Sequence, residues 1–413
     1  MTTLVGNKRR VSLDALVVAA ADVESYDEPQ ATHVAKKPTL ASSALDRAAS
    51  LSLPSSSSDS HSEAAAGERV VMPIAQPAAA VAASLDDSVS LLTPMNIIEL
   101  RELGYTVVPN IVEPAVCATR HIELLDEMAK RGVNWRDPNV SRSSAPQIHG
   151  IVQHLEIGHT AAVWATRQEE RVARVFEELY GDNDLLVSFD GICLWRESDK
   201  DDGKRWWHVD QSHKKPGLRC IQGALVMAPC DGGLAVLPGS HKQHATFAQQ
   251  HAPRAATMND DWFKYEPDEF AALQALTGTS PTLVTPPVGS LVLWDSRTAH
   301  MAQMAPANAP RERRSRCAIY LCYQPRALIS AANLVKKRNA FDSYRMTTHW
   351  PASTVKLFPG TWRTWGRAGT AHNPTPEERT RVDTTRVLEL AGKIPLTTRR
   401  RRRTQPALEF VKP

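Results

Sequence analysis

The segments DLLVSFDGICLW (184–195) and RCAIYLCYQP (316–325) begin and end a series of five short apolar stretches. The three between them are CIQGALVMAP (220–229), GLAVLPGS (233–240) and GSLVLWDS (289–296). They are rich in β-branched residues, bounded by Gly, Pro, Asp and Ser, and too short for typical helices, which predicts β-strands. Most gaps between them contain no long helical pattern, which disfavours a parallel sheet with crossover helices. The pattern predicts a mainly β fold with flanking helices (α+β), arranged as a sandwich or jelly roll.

Helical patterns flank this β-rich region on both sides. Before it, apolar residues at helical spacing predict helices over 94–104, 113–132 and 169–179. After it, the sequence TPEE (375–378) combines a capping Thr, a Pro at the first helical position and a Glu three residues after the cap. This pattern predicts a helix that runs to Ala391.

Bulky apolar residues divide the chain into three parts. All ten Trp lie between Trp135 and Trp365, whereas the first ninety residues contain a single aromatic residue. A segment without bulky side chains cannot bury enough surface to offset the entropy of ordering. We therefore predict a disordered, low-complexity arm over 1–92, one domain over 93–395 and a basic, disordered tail over 396–413.

The basic residues of the chain are concentrated at one end. The formal net charge is +4, and five of the positive charges form the run Arg399–Arg403. A nucleic-acid surface would depend on this tail alone, so nucleic acid is not expected as a partner. No run of about 18 apolar residues is present, so a membrane-spanning helix is not expected either.

The cysteines indicate the compartment. All six lie in predicted core segments, and no two form a CxxC pair, which predicts reduced, buried thiols. Asp14 and the acidic residues after it argue against a secretory signal at the N-terminus. We expect an intracellular protein, cytoplasmic unless the Arg399–Arg403 run directs it to the nucleus.

The sequence WWHVDQ (206–211) carries the clearest chemical signal. Residues two apart in a strand point to the same side, so His208 and Asp210 can present an imidazole and a carboxylate to one point. His300 follows another predicted strand, and a barrel-like sheet can bring it beside them. Two neutral imidazoles and one carboxylate suit non-haem Fe(II) and leave three coordination positions open. A single HxD pattern is by itself more often structural, and His213 is interpreted as a solvated loop residue.

Three longer motifs follow the HxD pattern in order along the chain. They are CDGGLAVLPGSH (230–241), VGSLVLWDSRTAH (288–300) and RSRCAIYLCYQPR (314–326). With these motifs the sequence resembles the phytanoyl-CoA dioxygenase family of Fe(II)- and 2-oxoglutarate-dependent oxygenases. The resemblance extends over residues 93–366 and is strongest over 206–326.

This resemblance implies a fold, a metal site and a reaction. The fold would be a double-stranded β-helix (jelly roll, cupin-like), with His208, Asp210 and His300 as the Fe(II) ligands. 2-Oxoglutarate would be the co-substrate and O₂ the oxidant, with ascorbate supporting activity. The expected reaction is oxidation of a C–H bond in a small organic metabolite, with release of succinate and CO₂. Related halogenases have a small residue in place of the carboxylate ligand, so Asp210 favours hydroxylation or desaturation.

The family holds 2-oxoglutarate with an arginine on the last strand of the sheet, and two residues match this position. A planar guanidinium can bind the distal carboxylate through two hydrogen bonds. Arg316 opens the apolar run of the strand and matches best, while Arg314 is the alternative on the same expected face. Arg311 and Arg313 fall in a predicted loop, where solvated charge is the simpler interpretation.

Several weaker expectations surround these residues. Gln222 and Trp195 are candidates for the wall of the pocket, and residues 295–297 for orienting His300. The insertion over 244–277 is expected to cover the mouth of the pocket.

An alternative hypothesis is a member of the same fold that is catalytically inactive or independent of 2-oxoglutarate. Such a protein would act through metal binding or through an interaction. Formation of succinate from 2-oxoglutarate separates the two hypotheses. The sequence leaves the small-molecule substrate and the oligomeric state open.

Overall fold

The structure is a computed structural model and describes seven ranges of the chain. They are 89–137, 139–140, 146–199, 203–257, 261–362, 369–397 and 405–410. The predicted N-terminal arm up to residue 88 and the Arg399–Arg403 run lie outside the described residues. The chain divides into the units Met1–Val81 and Ala82–Pro413, and all described residues belong to the second.

Helices precede, interrupt and follow the strands along the described chain. The helices are α1 (Pro94–Glu102), α2 (Pro114–Lys130), α3 (Ala161–Gln168), α4 (Glu170–Tyr180), α5 (His244–Gln250), α6 (Ala252–Thr257), α7 (Pro267–Thr277), α8 (Ala331–Asp342) and α9 (Thr385–Leu390). The strands are β1 (Tyr105–Val108), β2 (Gln147–Ile148), β3 (Ile151–Val152), β4 (Leu185–Val187), β5 (Ile192–Trp195), β6 (His208–Val209), β7 (Ile221–Val226), β8 (Gly233–Val236), β9 (Phe263–Lys264), β10 (Thr282–Val284), β11 (Leu291–Asp295), β12 (His300–Gln303) and β13 (Arg316–Pro325).

Two antiparallel sheets form the centre of the fold. The larger sheet has the strand order β1-β11-β7-β13-β5-β3-β2, with β4 also pairing with β13. The smaller sheet has the order β10-β8-β12-β6-β9. From β5 to β8 and from β11 to β13, successive strands alternate between the two sheets, which is the winding of a jelly roll. The predicted fold class, mainly β with flanking helices, is confirmed.

The space between the sheets is filled by residues from both. One cluster combines Ala224 of β7 and Trp294 of β11 with Leu234 and Val236 of β8. The outer face of the larger sheet packs against α2, α3 and α4, whose buried residues share a cluster with β11 and β13. The residues between the sheets are therefore shielded on one side by a helical layer. All six cysteines are buried and none forms a disulfide, as predicted.

The three predicted N-terminal helices are present as α1, α2 and α4. Thr93 caps α1 by accepting a hydrogen bond from the backbone of Asn96, and Pro94 occupies the first turn. Within the described ranges, none of the helices combines the length and apolar character needed to span a lipid bilayer.

The predicted helix over 376–391 is wrong in extent. The structure has a single 3₁₀ turn at Pro376–Glu378, and only α9 is α-helical. The intervening backbone is extended because its side chains bind elsewhere. Arg379 pairs with Glu156, and the guanidinium of Arg381 lies over the ring of Phe341.

Packed residues also lie beyond the predicted domain boundaries at both ends. Backbone amides at residues 91 and 92 bind Glu178, so the packed region begins before residue 93. In the predicted tail, Leu408 is buried and the ring of Phe410 lies 4.3 Å from that of Tyr180. Residues 405–410, which the sequence analysis assigned to the tail, therefore pack against the domain in the structure.

Candidate metal centre

Neighbouring strands of the smaller sheet bring the two candidate histidine ligands together. His208 begins β6, His300 begins β12, and the two residues are direct partners in the antiparallel register. Their rings are 4.2 Å apart between centroids. Sheet pairing thus brings His300 beside His208, as a barrel-like sheet was expected to do.

Asp210 completes a compact set of ligand atoms. Its Oδ1 lies 3.7 Å from Nε2 of His208, and its Oδ2 lies 3.4 Å from Nε2 of His300. The three candidate ligand atoms all lie within 4.8 Å of one another. A single metal ion can be held by this set, as the spacing of His208 and Asp210 predicts.

Backbone hydrogen bonds fix the tautomer of both imidazoles. Nδ1 of His208 lies 3.1 Å from the carbonyl oxygen of Trp206, and Nδ1 of His300 lies 2.8 Å from that of Thr298. A carbonyl oxygen only accepts hydrogen bonds, so each Nδ1 donates its proton. Each Nε2 therefore keeps its lone pair and faces Asp210, as a metal ligand must.

The electrostatics favour a neutral His208 and an ionised Asp210. Burial lowers the pKa of His208 to about 3, and the neighbouring His300 adds to the shift. Burial acts to raise the pKa of Asp210, but the adjacent imidazoles outweigh it and hold that pKa below the usual range. A neutral imidazole and an ionised carboxylate are the forms that bind a cation.

The loop before His300 is tied to the segment that carries Asp210. The amide of Asp210 donates to the carbonyl oxygen of Ser296, and the Ser296 hydroxyl donates to Oε1 of Gln211. Arg297 forms an ion pair with Asp295. The expectation that residues 295–297 help to orient His300 stays a prediction, but these contacts support it.

Aromatic rings surround the candidate ligands. The indole of Trp206 stacks between two imidazoles, at 4.4 Å from His208 and 4.2 Å from His149. Trp262, which is half-exposed, lies 6.0 Å from His208, and Trp294 lies 5.5 Å from His300. His208 and His300 are both buried among these rings, each only 4% exposed.

Arg316 lies in a cleft between the sheets, which Trp294 also lines. Arg316 is buried, donates to the carbonyl oxygen of Gly233 and stacks over Trp195 at 4.9 Å. Among the described residues, no carboxylate lies within ion-pair distance of this guanidinium. Since an unpaired buried charge is costly, the residue is suited to bind an anion.

Arg314 has a different environment from the one expected. It precedes β13, in helical backbone geometry, and its Nε donates to the carbonyl oxygen of Ala309. The expectation that Arg314 and Arg316 share a strand face is therefore wrong, because the strand begins at Arg316. Arg311 and Arg313, predicted to carry solvated charge in a loop, lie in a 3₁₀ turn and form ion pairs with Glu197 and Asp231.

His213 is not a solvated loop residue. Its ring stacks on His244 at 4.3 Å, and its Nδ1 binds the carbonyl oxygen of His244. It packs against the insertion over 244–277, which folds as α5, α6, β9 and α7. Strand β9 pairs with β6, so the insertion reaches the strand that carries His208.

Two titratable residues beside the site were not predicted from the sequence. Burial lowers the pKa of His349, which also interacts with Asp210 and His300. Burial raises the pKa of Asp190 to about 7, and the charge of Asp210 contributes to that shift. Neither residue lies in a motif with the ligands, so only packing places them here. Asp190 lies inside the predicted strand stretch 184–195, where an acidic residue in the middle of an apolar run is the one local signal.

The comparison with protein families decides which family the chain belongs to. The phytanoyl-CoA dioxygenase (PhyH) family model matches residues 100–312, a little over half of the chain. The chain belongs to the phytanoyl-CoA dioxygenase family. A curated relative, "Ava biosynthesis cluster protein O" of Aspergillus versicolor, is 33% identical over 204 residues. The alignment covers 47% of this chain and 64% of that relative, which is less than two thirds of its length.

Solved structures of similar fold are distant in sequence. EctD from S. alaskensis with bound Fe is 17% identical, with a TM-score of 0.40, over 58% of this chain and 79% of that chain. The epimerase SnoN, solved with Fe³⁺, alpha ketoglutarate and nogalamycin RO, is 15% identical, with a TM-score of 0.36, over 56% and 83%. Membership of the phytanoyl-CoA dioxygenase family rests on the family model.

Proposed function

We propose that this protein is an Fe(II)- and 2-oxoglutarate-dependent dioxygenase that oxidises a C–H bond of a small organic molecule. The observation that supports this most directly is the cluster of His208, Asp210 and His300, with both Nε2 atoms turned towards the carboxylate. Family membership supports the same reaction type.

The donor set fits iron better than most other metals. Two imidazole nitrogens and one carboxylate oxygen on one side leave open positions for a chelating co-substrate and O₂. A structural zinc site would instead enclose the ion with four protein ligands. Bound iron would supply O₂ activation coupled to the decarboxylation of 2-oxoglutarate to succinate and CO₂.

The residues of the chain would bind the metal and 2-oxoglutarate and would shield the reacting atoms from water. His208, Asp210 and His300 would hold the metal, and Arg316 would bind the distal carboxylate of 2-oxoglutarate through its guanidinium. Trp206 and Trp294 would keep water from the reacting atoms. Hydroxylation or desaturation is proposed as the outcome, because Asp210 retains the carboxylate ligand.

The test measures metal binding and co-substrate turnover together. Purified protein is incubated with Fe(II), ascorbate, 2-oxoglutarate and O₂, and both the bound iron and the succinate formed are quantified. We expect succinate from the wild type and none above background from Asp210→Ala, which loses the anionic ligand. Asp231→Ala is the matched control, since the Asp231 carboxylate forms a partly exposed ion pair with Arg313.

The results separate the hypotheses. Equal succinate formation by wild type and Asp210→Ala would refute the ligand assignment. Iron binding that depends on Asp210, without succinate formation, would favour the alternative of an inactive or 2-oxoglutarate-independent member.

A further inference from the structure

Gln222 occupies a rigid position in the larger sheet. It lies in β7, between β11 and β13, with Trp294 and Cys322 as its register partners. Its side chain is buried. Backbone pairing with strands on both sides fixes the point from which the side chain extends, so the region that the side chain can reach is well defined.

The side-chain amide of Gln222 contacts Asp210. Its Nε2 donates to Oδ2 of the carboxylate at 2.9 Å. Asp210 itself follows β6 and lies outside any strand, so its carboxylate depends on side-chain contacts for its orientation. The other oxygen, Oδ1, remains on the side of His208.

The orientation of the Gln222 amide leaves a buried polar atom without a hydrogen bond, which an apolar residue at this position would avoid. Its Oε1 is buried and has no hydrogen-bond partner among the described residues. Flipping the amide would place this oxygen against the Asp210 carboxylate, which is repulsive, so the donor must face Asp210. An apolar side chain of the same size would leave no unpaired polar atom. The amide is therefore explained by its contact with Asp210.

We propose that Gln222 is a positioning residue that engages Oδ2 of Asp210 and leaves Oδ1 as the single metal-binding oxygen. This inference rests on the proposed function, because it assumes that Asp210 binds a metal ion. With one oxygen occupied by the amide, the carboxylate takes one coordination position and leaves the others for 2-oxoglutarate and O₂.

The test compares two buried glutamines. Gln222→Met keeps the size of the side chain and removes the donor. Gln324→Met is the matched control, because Gln324 is buried on β13 but bonds to Arg219 and to backbone amides of 352–353. The dissociation constant of Co(II), the visible spectrum of the Co(II) complex and the melting temperature are measured for each full-length variant.

We expect Gln222→Met to weaken Co(II) binding by about 10- to 100-fold, as is usual for the loss of a hydrogen bond to a metal ligand, and to change the spectrum. Gln324→Met should lower the melting temperature and leave the affinity within about 2-fold, a change too small to reflect a lost ligand contact. Gln222→Asn, one methylene too short to reach Asp210, should reproduce the effect if the Met variant fails to fold.

Two results would overturn the proposal. Unchanged Co(II) affinity and spectrum in Gln222→Met or Gln222→Asn would show that Gln222 has only a structural role. Equal Co(II) binding by wild type and by His300→Ala would refute the metal site itself, and with it both the proposed function and this inference.

Discussion

Two backbone carbonyl oxygens determine which nitrogen of each candidate ligand is available. Trp206 and Thr298 each accept from the Nδ1 of the histidine two residues later. The same i to i+2 arrangement at both strands holds each Nε2 towards Asp210. Ligand geometry here depends as much on main-chain conformation as on the identity of the side chains.

Arg316 gives a prediction at the level of one side chain. Arg316→Met should raise the KM for 2-oxoglutarate by about 10- to 100-fold, because a charge-assisted hydrogen bond contributes about 1.5–3 kcal/mol. The KM is measured from succinate formation. Arg314→Met is the matched control and should leave the KM unchanged, since Arg314 lies outside β13 and binds Ala309. A larger increase in the KM for Arg314→Met than for Arg316→Met would assign the binding of 2-oxoglutarate to Arg314 instead.

The turn between α1 and β1 supports the loop that leads to His300. The carbonyl oxygen of Gly104 accepts from the amide of Asp295 and from the hydroxyl of Thr298. Gly104 has a φ of +83°, and a Cβ at this position would clash with Thr298 and His241. The turn that precedes the jelly roll therefore helps to hold the loop before His300, the candidate ligand farthest along the chain.

The close packing around Gly104 predicts how a methyl group added at this position affects stability. Gly104→Ala should lower the free energy of unfolding by more than about 1–2 kcal/mol, the cost of a left-handed backbone for an L-residue, because a clash is added. Gly278→Ala is the control, since Gly278 has a φ of +64° with open space around a Cβ. Urea denaturation gives both values, and equal losses would contradict the proposed close contact.

At the scale of the whole molecule, the C-terminal segment joins the core of the domain. The amide of Ala407 donates to the carbonyl oxygen of Leu179, and Arg101 donates to that of Ala407. Leu408 belongs to the main hydrophobic cluster. Residues 405–410 therefore connect α1 and α4.

Truncation of one side chain tests this connection. Leu408→Ala should lower the free energy of unfolding by about 2 kcal/mol or more, as expected for a buried leucine. Val382→Ala, at a residue that is 65% exposed, should change it by less than about 0.5 kcal/mol. Both are measured by chemical denaturation of the full chain. A loss at Leu408 as small as that at Val382 would mean that the segment is not packed in solution.

Local patterns were sufficient to place strands in the five quoted apolar stretches and to place the three N-terminal helices, because each depends on periodicity over a few residues. His208 and Asp210 also lie close together, but Asp210 lies outside β6, so strand alternation does not explain their contact. The same reasoning was wrong for Arg314, because the start of β13 is set by pairing of Arg316 with Trp195. It was also wrong for His213, which is buried by the insertion over 244–277.

The candidate site residues could be named from the sequence, because the HxD pattern suggests a pair of metal ligands and the resemblance to the phytanoyl-CoA dioxygenase family singles out His300 and Arg316. Their assembly depends on sheet register, which joins His300 to His208, and on packing between strands, which brings Gln222 to Asp210. Such contacts join residues whose separation in sequence carries no periodic signal. They follow from the energy of the whole packed domain, in which each strand's register depends on its neighbours.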